Sequence, residues 1–119
     1  MPPRDWKTLI DDILQSIARI DEYTRGLELE EFARDPMRVD AVLLNLTIIG
    51  EAASRVPPDV QQRLQSVPWE MRGMRNFIVH TYYGVRLSVI WGTLRENLPQ
   101  LVAPLQAALS DAAEGPATS

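Results

Sequence analysis

The chain's only histidine, His80, lies in a stretch that begins at Arg75 and Asn76 and ends at Tyr82, with the spacing R-x4-H-x-Y. The 119-residue chain contains no cysteine. Imidazole is the side chain whose ordinary pKa lies nearest neutrality, so His80 is the candidate for any proton transfer near pH 7. The alternative for a single histidine on a helix is an ordinary surface or core residue.

These residue types suit cleavage of RNA by its own 2′-hydroxyl. That reaction needs a base that takes the hydroxyl proton and an acid that protonates the leaving oxygen. Arginine can neutralise the phosphorane charge, and Asn76 can fix the orientation and tautomer of His80. Metal catalysis is disfavoured, because one histidine, no cysteine and no tight acidic cluster near the motif leave too few ligands.

Charge is unevenly distributed along the chain, whose net charge is -4. Residues 1–60 carry 7 basic and 12 acidic side chains, whereas residues 61–119 carry 5 basic and 4 acidic ones. Between Arg63 and Arg95, five arginines are accompanied by a single acid, Glu70. Guanidinium groups make bidentate contacts with phosphate, so RNA binding would depend on this locally basic region, against the repulsive field of the whole chain.

Composition predicts an ordinary globular protein, with 45% hydrophobic and 24% charged residues. There is no apolar run of the roughly 18 residues that a membrane span needs, and the N-terminus lacks a secretory signal pattern. We therefore expect a cytoplasmic protein. We also expect one helical domain over residues 1–112 and a disordered tail over 113–119.

Helical periodicity dominates the first half of the sequence. Apolar residues recur at i, i+3, i+4 and i+7 from residue 5 to residue 24, which predicts an amphipathic helix that Gly26 can end. The acidic connector 27–34 has room for a short helical turn. Asp35 and Pro36 then predict an N-cap and first residue of a second helix, which is apolar almost all round and is expected to be the most buried element.

The second half predicts shorter helices. A short helix is expected over residues 59–64, and Ser66 and Pro68 resemble the cap and start of a helix that carries the motif to about Tyr83. A last helical segment should run from 87 to 112. Since no window shows the alternation of a strand, the sequence predicts an all-α fold, an antiparallel bundle of four or five helices.

Two prolines interrupt that last segment. Proline lacks a backbone N–H and clashes with the preceding turn, so Pro99 and Pro104 should kink or divide the helix.

The motif residues cannot all converge from one straight helix. At about 100° per residue, Asn76 and His80 lie within about 40° of each other, whereas Arg75 lies about 140° from His80. Arg72 and Tyr83 share the polar stripe of Asn76 and His80. Either the helix is distorted near the end of the motif, or two copies pair across a symmetric dimer. Two chains also supply the two imidazoles that an acid and a base would require, so the chemistry favours the dimer.

The ordered pattern of motifs closely resembles the HepT-like toxins of the HEPN superfamily. The resemblance covers about residues 5–110 and rests on five segments in this order: Ile49–Ala53, Pro68–Trp69, Gly73–Tyr83, Val89–Trp91 and Leu98–Pro99. The R-x4-H-x-Y element alone is a weak signal, but the ordered set is specific.

The resemblance implies a homodimeric HEPN-type bundle that acts as a metal-independent endoribonuclease without a cofactor, the toxin of a toxin–antitoxin pair. Arg75 and His80 match the family's catalytic pair, Asn76 the polar residue after the arginine, and Tyr82 the motif tyrosine. The family's partner is a minimal nucleotidyltransferase antitoxin, which can silence the toxin by transferring AMP to that tyrosine. Negative charge and bulk in a phosphate-binding cleft would explain the inhibition.

Three further residues, Arg72, Tyr83 and Arg86, are predicted to contact RNA. Arg86 departs from the family pattern, because relatives often carry an acidic helix cap there; the local cap is therefore in doubt. Two alternatives stay open: a catalytically silent HEPN module that binds a nucleotidyltransferase or a nucleotide, and a purely structural dimerisation bundle. The intact pair of Arg75 and His80 favours the enzyme, and the bundle would leave the polar stripe unexplained.

Overall fold

A computed structural model describes residues 5–74 and 86–114, and every regular element in them is helical. The α-helices and their bounds, in chain order, are α1 (Trp6–Thr24), α2 (Leu29–Ala33), α3 (Pro36–Arg55), α4 (Pro58–Arg63), α5 (Leu87–Gly92) and α6 (Leu98–Glu114). A 3-10 helix spans Trp69–Gly73, and a π-helical segment spans Thr93–Asn97. The predicted all-α class is confirmed.

The two long helices begin where short polar side chains cap them. The Asp5 carboxylate accepts from the backbone N–H of Lys7, and the Asp35 carboxylate accepts from that of Arg38. Pro36 is the first helical residue of α3, as the sequence predicts. After α1, Gly26 adopts a φ of 78°, a conformation that residues with a side chain rarely take.

Helices α1 and α3 form an antiparallel pair. The Arg38 guanidinium, at the start of α3, donates to the Tyr23 carbonyl near the end of α1 at 2.7 Å. Isoleucines of α1 pack against aliphatic residues of α3, and the later elements complete one core. The members of that core that are 0% exposed include Ile10, Ile13, Phe32, Val42, Leu46, Ile49, Ala53, Ile90 and Leu105.

Helix α3 exposes two large apolar side chains on the side away from its buried face. Met37 is 83% exposed and Leu44 is 61% exposed, although eight other residues of the helix are buried. The two residues are seven apart and therefore share a face. Although α3 is apolar on nearly every side, only the side that meets the core is buried.

The C-terminal segment is held to the end of α1. Arg95 donates to the carbonyls of Thr24 and Leu27 at 2.9 and 3.0 Å, and its Cζ lies 4.3 Å from the ring centroid of Trp91. The indole of Trp91 in turn lies 5.1 Å from the buried ring of Phe32 in α2. Arg95, counted in the sequence as part of a basic region, is thus engaged in holding the fold.

The division of the last helical segment lies next to Pro99 and not at Pro104. The N–H of Leu98 donates to the carbonyl of Thr93, five residues back, so the helix widens one turn before Pro99. That wider turn accommodates the missing N–H. Helix α6 then continues through Pro104 to Glu114.

The proposed boundary between a domain 1–112 and a tail 113–119 stays a prediction.

The α-helix predicted from Pro68 instead begins as the 3-10 helix. Pro68 precedes it without a side-chain cap, so the predicted capping role of Ser66 is wrong. Side-chain hydrogen bonds from Trp69 and Arg72 to nearby carbonyls hold this tighter turn.

Within the described residues, no helix has the length and apolar character to cross a membrane.

Candidate active site

The predicted motif lies in the segment between the two described parts of the chain. Arg75, Asn76, His80, Tyr82 and Tyr83 all fall within 75–85, outside the described residues. The structure therefore gives the two ends that hold this segment, Met74 on one side and Arg86 on the other. Of the predicted RNA contacts, Arg72 and Arg86 are described.

Trp69 anchors the chain just before the motif. The residue is 9% exposed, and Met71 beside it is 5% exposed, so both contribute to the core. The indole N–H of Trp69 is shared between the carbonyls of Gln61 and Leu64, each at 3.1 Å. Because this ring is buried and bonded at the end of α4, the 3-10 helix cannot shift without breaking both contacts.

Gln61 joins α3, α4 and the 3-10 helix. Its Nε2 donates to the Val56 carbonyl at the end of α3 at 2.9 Å, and its Oε1 accepts from the guanidinium of Arg72 at 2.7 Å. Arg72 Nε donates to the Trp69 carbonyl at 2.9 Å. With the bond from Trp69 to the Gln61 carbonyl, these contacts form a closed ring that sets the direction in which the chain enters the motif.

Arg72 combines this structural role with exposure to solvent. Two of the five N–H groups of its guanidinium are used by Gln61 and Trp69, which leaves the others directed to solvent or to a ligand. Its backbone carbonyl also lies 3.5 Å from the Ser54 hydroxyl of α3.

Gln61 was not foreseen, because a glutamine in a short helix after two prolines has no distinctive sequence pattern.

The other end of the motif segment is less constrained. Arg86 is exposed and precedes α5 as its N-cap residue, with no side-chain hydrogen bond to the helix. The doubt that the sequence raised about this cap is therefore confirmed. On α3, a guanidinium nitrogen of Arg55 lies 3.9 Å from a carboxylate oxygen of Glu51, an ion pair at i, i+4 spacing.

Comparison with known proteins identifies the fold family. A family model described as "Ribonuclease HepT-like" matches residues 13–108, a range that includes α1 from Ile13 onward, all of α3 and the R-x4-H-x-Y motif. This chain belongs to the HepT-like ribonuclease family. The all-helical architecture is consistent with the HEPN superfamily to which the sequence pattern pointed.

Several relatives of this HepT-like chain are named as ribonucleases. A "Probable ribonuclease HepT" of Thermococcus cleftensis is 38% identical, over 82% of this chain and 90% of that protein. A "Putative RNase" of Methanocaldococcus jannaschii is 35% identical, over 85% and 94%. Another, from Caldanaerobacter subterraneus, is 36% identical, over 77% and 83%. No solved structure matches the chain.

Replacing Gln61 tests the ring of hydrogen bonds that holds the entry to the motif. We expect Gln61→Met to lower the free energy of unfolding by about 1–3 kcal/mol, because it removes two hydrogen bonds and leaves the Val56 carbonyl unpaired. Gln62→Met is the matched control, since Gln62 is an exposed neighbour on the same helix. Urea unfolding gives both values, and equal midpoints for the two variants would contradict the structural role.

Proposed function

We propose that this HepT-like protein is a metal-independent endoribonuclease that acts in the cytoplasm as the toxin of a toxin–antitoxin pair. The observation that carries the proposal is the family match over residues 13–108, because it spans an intact R-x4-H-x-Y motif and includes relatives named as ribonucleases. Arg75, Asn76 and His80 are the catalytic residues in this proposal. The described part of the site supports it, since it fixes the chain immediately before Arg75.

The proposed reaction is an internal transesterification of RNA. An imidazole takes the proton of the 2′-hydroxyl, whose oxygen attacks the adjacent phosphorus while the bond from phosphorus to the 5′-oxygen breaks. A second group returns a proton to that leaving oxygen, and the product carries a 2′,3′-cyclic phosphate. Arg75 stabilises the negative phosphorane, and Asn76 orients the ring of His80.

A homodimer is the proposed assembly. A straight helix separates Arg75 and His80 by about 140°, and one chain has one imidazole, so two facing motifs would complete the site. The exposed apolar side chains of Met37 and Leu44 on α3 support association, because a second copy would remove them from water. Arg72, Tyr83 and Arg86 would then contact the RNA phosphates at the rim of the shared cleft.

The proposed partner is a minimal nucleotidyltransferase antitoxin that modifies Tyr82. In that step the phenol oxygen attacks the α-phosphorus of ATP, pyrophosphate leaves, and the proton passes to solvent. The attached AMP brings negative charge into a cleft that binds phosphate, which opposes RNA binding. The alternative function is a silent helical module that docks the same partner or a nucleotide without cleaving RNA.

His80→Ala tests catalysis directly. We expect the variant to lose RNA cleavage and toxicity with little change in helicity or melting temperature, because His80 falls off the predicted apolar face of its helix. Purified protein and end-group analysis of the products provide the measurement. Wild-type cleavage should survive EDTA and leave 2′,3′-cyclic phosphate ends. Loss of activity on chelation, restored by magnesium, would indicate a metal-dependent nuclease, and wild-type rates in the variant would remove the catalytic assignment.

Mixing two inactive variants tests the shared site. If each cleft takes arginine from one chain and histidine from the other, heterodimers of Arg75→Ala and His80→Ala chains should regain one proper pair and part of the activity. Cleavage rates are compared between the mixture and each variant alone. A protein that is active while fully monomeric at the assay concentration would end the proposal of a shared cleft.

Tyr82→Phe separates regulation from catalysis. We expect this variant to retain much of its ribonuclease activity and to escape silencing by the cognate nucleotidyltransferase with ATP, since the phenol oxygen is the acceptor and not a catalytic group. Tyr83→Phe is the control, because adjacent helical side chains point about 100° apart. Mass spectrometry of the wild type should find AMP on Tyr82. Modification of Tyr83 alone would show that the assignment is wrong.

A further inference from the structure

A pocket lies directly before the motif, between the 3-10 helix and the C-terminal helical segment. Its volume is about 460 Å³. The buried side chains of Met71, Leu98 and Leu101 line it from the core, and Met74 joins them where the chain leaves for residue 75. Among the described residues, a methyl group added at Gly73 would meet nothing within 4 Å, so the space beside this glycine is open.

Three exposed polar side chains surround the pocket and have no hydrogen-bond partner in residues 5–74 and 86–114. They are the carboxylate of Glu70 on one wall and the amides of Asn97 and Gln100 on the other. The π-helical segment contributes to this arrangement, because its first residue, Thr93, and its last residue, Asn97, both line the pocket. Glu70 is also the one acid between Arg63 and Arg95, and nothing in the proposed reaction uses it.

The charge of the lining decides what class of ligand fits. Among the residues that the structure describes, no lysine or arginine lines the pocket, and the one charged lining group is the Glu70 carboxylate, which disfavours a phosphate there. A neutral aromatic ring with hydrogen-bond donors on its edge suits the apolar floor and the polar rim. Guanine presents two neighbouring donors, N1–H and the N2 amino group, which match the two oxygens of a carboxylate. Its O6 can accept from an amide of Asn97 or Gln100.

We propose that this pocket binds one base of the RNA beside the cleavage site and prefers guanine, an inference that rests on the proposed ribonuclease function. Single-stranded RNA is read in this way, with bases turned out of the stack, packed on side chains and bonded along their Watson–Crick edges. Glu70 is the specificity-determining residue. The basic motif segment then contacts the phosphates while the adjacent acidic pocket contacts a base.

Glu70→Gln and its matched control Glu96→Gln test the proposal. Both replace an exposed carboxylate by an amide of the same shape, but Glu96 does not line the pocket. Wild type and variants are compared on uridine-rich RNAs that carry one guanosine, inosine or adenosine. We expect wild type and Glu96→Gln to cleave the guanosine RNA about five- to a hundredfold faster than the adenosine RNA, with inosine intermediate. Glu70→Gln should lose most of this preference.

Binding of free guanosine separates the pocket from the nuclease. In NMR titrations of the full chain, guanosine should shift the side-chain amide signals of Asn97 and Gln100 more than adenosine does, and Glu70→Gln should abolish the difference. If RNA cleavage shows no base preference and is the same in both glutamate variants, the guanine pocket is overturned, but the ribonuclease function is not. Guanosine binding without any RNA cleavage would remove the nuclease and leave the base pocket. Absence of a guanosine-specific shift would also overturn the pocket.

Discussion

The packing of α1 against α3 is the constraint on which the rest of the described structure depends. Ile10, Ile13 and Ile20 are at most 2% exposed, and burial of each such side chain contributes about 1.5–3 kcal/mol. The later elements pack on this pair: α6 lies against α1, and the 3-10 helix lies against α3. The motif segment therefore follows a 3-10 helix that packs near the end of α3, where the Ser54 hydroxyl lies 3.5 Å from the Arg72 carbonyl.

Polar side chains then fix the orientation of the shorter elements, which bury too little apolar surface to do so alone. Arg38 ties the start of α3 to the end of α1, and Arg95 ties the C-terminal segment to the same turn. Gln61 does this at the other end of the bundle, where it satisfies the Val56 carbonyl and holds Arg72. Such bonds each contribute modestly, but they select one arrangement of short helices among several.

Some arginines of this acidic chain hold the fold and are not available to a ligand. Of the five arginines between 63 and 95, Arg95 is engaged with backbone carbonyls, and Arg72 gives part of its guanidinium to the fold. The side chains of Arg63 and Arg86 are exposed and make no hydrogen bond to residues 5–74 or 86–114. The basic region therefore offers a ligand fewer guanidinium groups than its five arginines would suggest. In the proposed function, contacts with the RNA phosphates would depend on a few arginines near the motif, and the adjacent pocket would contact a base.

The sequence alone determined the features that depend on local rules. Apolar periodicity predicted α1, and a polar cap followed by proline predicted where α3 begins, because these signals act within one turn of the chain. The ordered motifs also indicated the family. The catalytic roles of Arg75 and His80 remain predictions, since they lie outside the described residues.

Only the tertiary structure decided the features that depend on distant partners. The 3-10 helix Trp69–Gly73 is held against α4 by the bond from the Trp69 indole to the Gln61 carbonyl and by the bond from the Arg72 guanidinium to the Gln61 side chain, and no local pattern predicts these contacts. The exposure of Leu44 likewise depends on which side of α3 the other helices cover. Hydrophobic pattern tells which residues favour burial, but the faces available for burial are set by how the helices pack.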